Sequence, residues 1–288
     1  MILTYREAIR EGMSIRMRED PRVILFGEDT GAYGGSFGIT LGMYDEFGGD
    51  RVRDTPISES AIIGCAVGSA ATGMRPIAEL VFCDFLTVAM DQIANQAAKM
   101  RYMFGGKISL PMVVRMPAGA GQGGAAQHSQ SLEAWVTHVP GLKVVYPSTP
   151  QDALGLILSA IDDDNPVIYF ENKIIKEKAD ITNFDPIPLG KGNIVREGTD
   201  ISVITYGLQV YDAKKAADIL AKDGISLEII DLRTLYPLDK DMIRSSIAKT
   251  HHAIVITEET KRGGYGGEIS ATIAEEMFDE LDGPVVRI

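Results

Sequence analysis

Two α/β domains in tandem, each a largely parallel sheet between two layers of helices, are what this sequence predicts. Three observations predict that fold class. Short continuous apolar runs, such as 23–26 and 167–170, alternate with helix-length segments along most of the chain. Runs of that kind mark strands covered on both faces. The alternation lapses between Glu171 and Glu197, where proline, lysine and aspartate recur, and then resumes. The length, 288 residues, suits one large domain or two ordinary ones. The expected division is 1–180, a linker over 181–197, and 198–288.

Taken in order, Thr4 and Glu7 have capping-box spacing, so a helix is expected to run to Asp20-Pro21. A strand at 23–26 ends in Gly27-Glu28-Asp29 and is followed by a glycine-rich loop over 31–38. After a short helix near 41–47, Pro56 holds Thr55 extended, and Ser58 is placed to cap a helix with Glu59 in its first turn. That helix is apolar or tiny throughout, so it is expected to be buried on most sides. A strand at 76–80 precedes one long helix, 84–103, stopped by Gly105-Gly106. Strands are expected at 111–115, 142–146 and 167–170, with a helix started by Thr149-Pro150 between the last two. The second domain repeats the pattern: strands at 201–206, 227–231 and 253–257, helices at 210–223, 239–249 and 268–279. The end, 285–288, reads as a strand, which predicts a domain cut short.

Composition excludes several function classes. A hydrophobic fraction of 45% and a net charge of −12 describe a globular chain ill-suited to non-specific binding of nucleic acid or an anionic membrane. No apolar run reaches the ~18 residues of a membrane span. The only cysteines, Cys65 and Cys83, both read as apolar in setting, which argues against disulfides and for a reducing, cytoplasmic compartment.

Three stretches carry chemistry. Glu59 stands at the mouth of an apolar helix, where the choice is between a charge favouring the helix dipole and a carboxyl of raised pKa able to exchange a proton. Glu28 stands just past a strand end, the rim where open α/β sheets bind ligands. Gly119-Ala120-Gly121-Gln122-Gly123-Gly124 fits a dinucleotide fingerprint, but the next strand ends in Tyr146-Pro147 without the acidic residue that reading needs. The loop is better read as presenting His128, a proton carrier near neutral pH.

Asp54-Thr55-Pro56-Ile57-Ser58-Glu59 resembles the glutamate motif of the β subunits of thiamine-diphosphate-dependent 2-oxo acid dehydrogenases, of pyruvate, acetoin and branched-chain type. Further resemblances are Gly124-Ala125-Ala126-Gln127-His128-Ser129-Gln130, Phe104-Gly105-Gly106-Lys107 and Asp231-Leu232-Arg233-Thr234-Leu235-Tyr236-Pro237. They imply a thiamine-diphosphate pyrimidine-binding domain followed by a transketolase C-terminal-like domain. They also imply that Glu28, Ile57, Glu59 and Phe85 surround the aminopyrimidine, with Glu59 and His128 catalytic and His128 reaching the substrate or a lipoyl arm. Met112, Ala160, Ile161, Asp163 and Asn165 resemble a structural monovalent-cation site, with K+ the candidate ion. The Gly-Asp-Gly motif that holds Mg2+ and the diphosphate does not occur here. The implied assembly is therefore an α2β2 heterotetramer whose α subunit supplies the metal half, serving a lipoyl acyltransferase. The alternatives are a transketolase or deoxyxylulose-phosphate synthase cut to two domains, or a non-catalytic scaffold subunit.

Overall fold

A computed structural model describes residues 1–288. It divides into two compact units, Met1–Leu189 and Gly190–Ile288.

The first unit contains β1 (Ile2–Thr4), α1 (Tyr5–Glu19), β2 (Val23–Gly27), α2 (Met43–Phe47), β3 (Val52–Asp54), α3 (Glu59–Ala71) and β4 (Arg75–Glu79). It continues with α4 (Met100–Met103), β5 (Val113–Ala118), α5 (Glu133–Thr137), β6 (Lys143–Val145), α6 (Pro150–Asp162), β7 (Val167–Asn172) and β8 (Lys178–Asp180). Six of its strands run parallel in the order β6-β7-β5-β4-β2-β3. Such pairing requires crossover helices, and it leaves every strand's carboxyl end on one rim. β1 and β8 form a separate antiparallel pair.

Local chemistry sets the helix boundaries. The Thr4 hydroxyl accepts from the Glu7 amide at 3.2 Å while Glu7 accepts from the Thr4 amide at 2.8 Å, closing the capping box. Those hydrogen bonds hold the Glu7 carboxyl below its usual range. Thr149 caps α6 by accepting from Asp152 at 3.1 Å, with Pro150 in the first turn. Each cap contributes about 1 kcal/mol. α1 and α6 cross at Gly12, where any Cβ would collide with Ile157.

Three expectations fail here. The single helix over 84–103 is three short ones: a 3₁₀ turn over Cys83–Thr87, a π turn over Gln92–Ala97, and α4. A run of small and apolar residues signals helix but not its pitch, and the amide of Ala98 bonds back to Ile93 at 3.0 Å, five residues away. Ser58 makes no side-chain cap; its amide instead serves the Glu28 carboxylate. α3 is not buried on most sides, because Ser60, Ala61, Cys65 and Gly68 are exposed. A helix with no polar face gives no sign of which side is covered. Cys65 accordingly is exposed, and only Cys83 is buried.

The second unit holds β9 (Asn193–Arg196), β10 (Ile201–Thr205), α7 (Gln209–Leu220), β11 (Leu227–Asp231), β12 (Thr234–Tyr236), α8 (Lys240–Thr250), β13 (Ala253–Val255), α9 (Tyr265–Glu276) and β14 (Val286–Arg287). Its five-stranded sheet has the order β14-β13-β10-β11-β9, with β9 antiparallel to β11. Residues 193–196, which the sequence assigned to the linker, therefore belong to a sheet edge. Its core is Val203, Ala213, Ala217, Leu227 and Ile229. Tyr265 to Gly267 open α9, and Glu259 accepts from the Gly266 amide at 2.9 Å. No helix is long and apolar enough to cross a membrane.

Gly141 has φ +108°, and a Cβ there would strike the carbonyl of Ala98. Both strain and backbone clash oppose any side chain. Gly141→Ala is expected to lower unfolding stability by about 2 kcal/mol or more, read as a drop in denaturant midpoint; an unchanged midpoint would refute the clash.

Candidate active site at the strand-end rim

Five of the site's segments leave the sheet at the same rim: Glu28 after β2, Thr55 to Glu59 after β3, Leu80 to Phe85 after β4, the loop from Gly119 after β5, and Lys173 after β7. Register holds the first two together, since Gly27 pairs with Asp54 on one side and Glu79 on the other. The Thr55 amide donates to the Gly27 carbonyl at 2.9 Å. The Gly31 amide donates to Asp54 at 2.6 Å, which ties the glycine-rich loop to the glutamate motif.

Glu28 and Glu59 are brought together. Burial pushes the Glu28 carboxyl up, and the nearby charge of Glu59 pushes it further, against the Ser58 amide. Glu28 Oε1 is buried without a hydrogen-bond partner, and so is Thr55 Oγ1. A buried acceptor left unpaired costs about 1–3 kcal/mol, so these two atoms are open to a polar partner that the chain does not supply. Glu59 is 8% exposed, and Ile57 beside it is 83% exposed. Asp29, next to Glu28, has φ +56°.

Phe85 and His128 form a second group. Their rings lie 5.6 Å apart, edge to face. Phe82 joins both, 4.3 Å from His128 and 6.0 Å from Phe85, and Phe37 packs on Phe82 at 5.5 Å. The Ser60 hydroxyl donates to the Val88 carbonyl at 2.7 Å, linking the start of α3 to the segment carrying Phe85. The 119–125 loop does not open a helix and reaches only a 3₁₀ turn at Ala126–His128, so the dinucleotide reading fails on geometry as well. Ala125 there has φ +61°, ψ −167°, a conformation nearly reserved for glycine and costing on the order of 1–3 kcal/mol.

The cation-site residues lie at the other end of the strands, before β5 and β7. The carbonyls of Ile161 and Asp163 accept from Arg75 Nη1 at 2.9 and 3.3 Å, and that of Met112 accepts from the Val167 amide at 2.9 Å. The Asp163 carboxylate takes Lys143 and, at 2.9 Å, the Asn165 amide. Ala160 is buried in the last turn of α6. The protein's own cations thus occupy this turn, and no group of three or more His, Cys, Asp or Glu side chains is placed to hold a metal. The ligation expected here is by main-chain carbonyls, and a carbonyl oxygen has a second lone pair beyond the bond it already accepts.

Sequence reasoning missed a buried ionic layer beneath the rim. Arg115, on β5, is fully buried and donates to Glu79 at the end of β4 and Glu171 near the end of β7. Desolvation drives both carboxyls up while Arg115 opposes it, and Glu171 reaches about 7. Isolated arginine in an apolar run (Met112-Val113-Val114-Arg115-Met116) was the available signal, because a charge in a doubly covered strand must be paired.

Residues 2–176 match the family model "Transketolase, pyrimidine binding domain", and residues 190–288 match "Transketolase, C-terminal domain". The chain is 47% identical to the 2-oxoisovalerate dehydrogenase subunit beta of Bacillus subtilis, covering 100% of this chain and 89% of that one. It is 49% identical to the acetoin:2,6-dichlorophenolindophenol oxidoreductase subunit beta of Cupriavidus necator, covering 97% and 86%. It is 45% identical to the pyruvate dehydrogenase E1 component subunit beta of Rickettsia bellii, covering 99% and 88%. A solved split-gene transketolase, an inactive beta4 tetramer, shares the fold with TM-score 0.82 at 20% identity, over 99% of this chain and 88% of that one.

Glu171 supplies a prediction for stability. Its folded pKa lies above the ordinary 4.5, so the folded state holds the proton more tightly than the unfolded one. The contribution is full below 4.5 and is lost as pH rises through about 7. Thermal melts across that window should decline less steeply for Glu171→Gln than for the natural chain; parallel curves would refute the assignment.

Proposed function

The chain belongs to the family of β subunits of 2-oxo acid and acetoin dehydrogenases, built from transketolase pyrimidine-binding and C-terminal domains, and on that premise we propose that it is the β subunit of a thiamine-diphosphate-dependent C–C bond-cleaving component. The observation that carries this reading is the buried, unpaired Glu28 Oε1 beside Glu59 at the strand-end rim. When bound, thiamine diphosphate supplies the nucleophilic carbon and the electron sink for cleavage. Everything else falls to the protein.

Glu59 holds a proton at the aminopyrimidine ring nitrogen and so sets the cofactor's tautomer. Glu28, kept toward its neutral form by burial and by Glu59, completes the polar wall. Phe85 and the exposed Ile57 would hold the flat heterocycle by apolar contact. His128, held among Phe82 and Phe85, stands where the substrate or an incoming acyl acceptor arrives. The imidazole orients that group and carries a proton for it.

An α subunit completes the site. The chain lacks a Gly-Asp-Gly motif for Mg2+ and a diphosphate, and the exposed face of α3 is made of Ser60, Ala61, Cys65 and Gly68, which lets another backbone come close. The working form is an α2β2 heterotetramer that passes its acyl group to a lipoyl acyltransferase. Two free cysteines suit a reducing, cytoplasmic setting.

Reconstitution with an α subunit tests the reading. Turnover of pyruvate, 2-oxoisovalerate or acetoin should require both chains; tight capture of Mg2+ and coenzyme with turnover by this chain alone would overturn it. Glu59→Gln should assemble normally and lose about 10²–10⁴ in turnover. His128→Ala should slow acylation of a lipoyl domain, and an unchanged rate would remove His128 from that step.

A further inference from the structure

The Lys173 side chain reaches both ends of the 119–130 loop. Its ammonium is buried, with the side chain 1% exposed. It donates to the carbonyl of Gly119 at 2.9 Å and to the carbonyl of His128 at 2.7 Å. It stands 3.9 Å from Asp84, itself 1% exposed, and 5.1 Å over the ring of Phe82. Asp84 Oδ1 accepts from the Gln130 amide at 3.2 Å and from its side chain at 3.0 Å. The backbone of Lys173 is anchored in turn: its amide donates to Ala118 at 3.1 Å, and its carbonyl accepts from Arg6 at 2.8 Å.

Residues 120–127 are exposed, and Gly121 lies against Ile174. A buried ion pair ties the ends of the loop from inside. Asp84 is also the neighbour of Phe85, so the same pair sets both partners of the His128 ring cluster. A buried ammonium shared among two carbonyls, a carboxylate and a ring face has every direction satisfied, which makes the arrangement stiff.

We propose that Lys173, paired with Asp84, is a positioning residue that fixes the His128 imidazole against Phe82 and Phe85, and so governs the step His128 serves. The catalytic half of this rests on the function proposed above; the positioning half does not. A misplacement of about 1 Å at such a group is enough to cost about 10²-fold in rate.

The test is Lys173→Met in the assembled holoenzyme, with side-chain NMR of the four histidines and hydrogen exchange of the loop. His128→Ala assigns the His128 signal. The His128 signal alone should move toward that of an exposed histidine, and the 119–130 amides should exchange about tenfold faster or more. Lipoyl acylation should fall about tenfold or more with KM for the small substrate changed less than about twofold, and adding Lys173→Met to His128→Ala should cost nothing further. An unmoved His128 signal, unchanged loop exchange, or additive losses in a folded variant would overturn the proposal. Because Lys173→Met leaves Asp84 buried without its cation, the charge-free pair Asp84→Asn with Lys173→Met carries the same readouts if the single variant does not fold. A pair variant that also fails to fold makes these residues structural and overturns the proposal. If the natural holoenzyme never acylates a lipoyl domain while the His128 signal still responds to Lys173→Met, the function fails and the positioning role stands.

Discussion

A fully buried guanidinium is the constraint on which the first unit depends. Arg115 sits in the middle of a parallel sheet, with Glu79 on one neighbouring strand and Glu171 on the other. Taking three charges out of water is costly, and removing one partner of such a group costs about 3–5 kcal/mol. The arrangement is tolerable only if β4, β5 and β7 keep one register. That register fixes where the chain leaves each strand, and the segments that leave are those carrying Phe85, His128 and Lys173. Arg115 Nε and Glu171 Oε2 remain without hydrogen bonds, so the layer is not a stability optimum. Its value lies in specifying alignment.

Above that layer the rim is built from irregular backbone. Asp29 and Ala125 hold positive φ, a π turn interrupts the segment after Phe85, and Glu28 keeps an unpaired oxygen. Each is locally unfavourable. Strain of this kind persists only where the surrounding structure over-determines it. Register below and the Asp84–Lys173 pair beside it supply that determination.

Much of the fold was legible because strand burial leaves a compositional trace. Runs such as Val23-Ile24-Leu25-Phe26 and Val167-Ile168-Tyr169-Phe170 became β2 and β7 with small shifts at their ends. Caps at Thr4 and Thr149 were readable, since their hydrogen bonds span three residues. The break within 84–103, the edge strand at 193–196 and the exposed side of α3 were not. Pitch, edge pairing and the covered side of a uniformly apolar helix all depend on what packs against them.

The sequence by itself determined the alternation of strands and helices, the carboxylates at strand and helix ends, and the histidine-bearing loop. These are local consequences of side-chain type and spacing. Only the tertiary structure decided that Glu28 comes within reach of the charge of Glu59, that Phe82 and Phe85 both pack on His128, and that Lys173 joins Gly119 to His128. It also decided that Arg75 and Lys143 occupy the Asp163 turn. Those are contacts between residues tens of positions apart, and they form only once parallel pairing has brought distant strand ends to one rim.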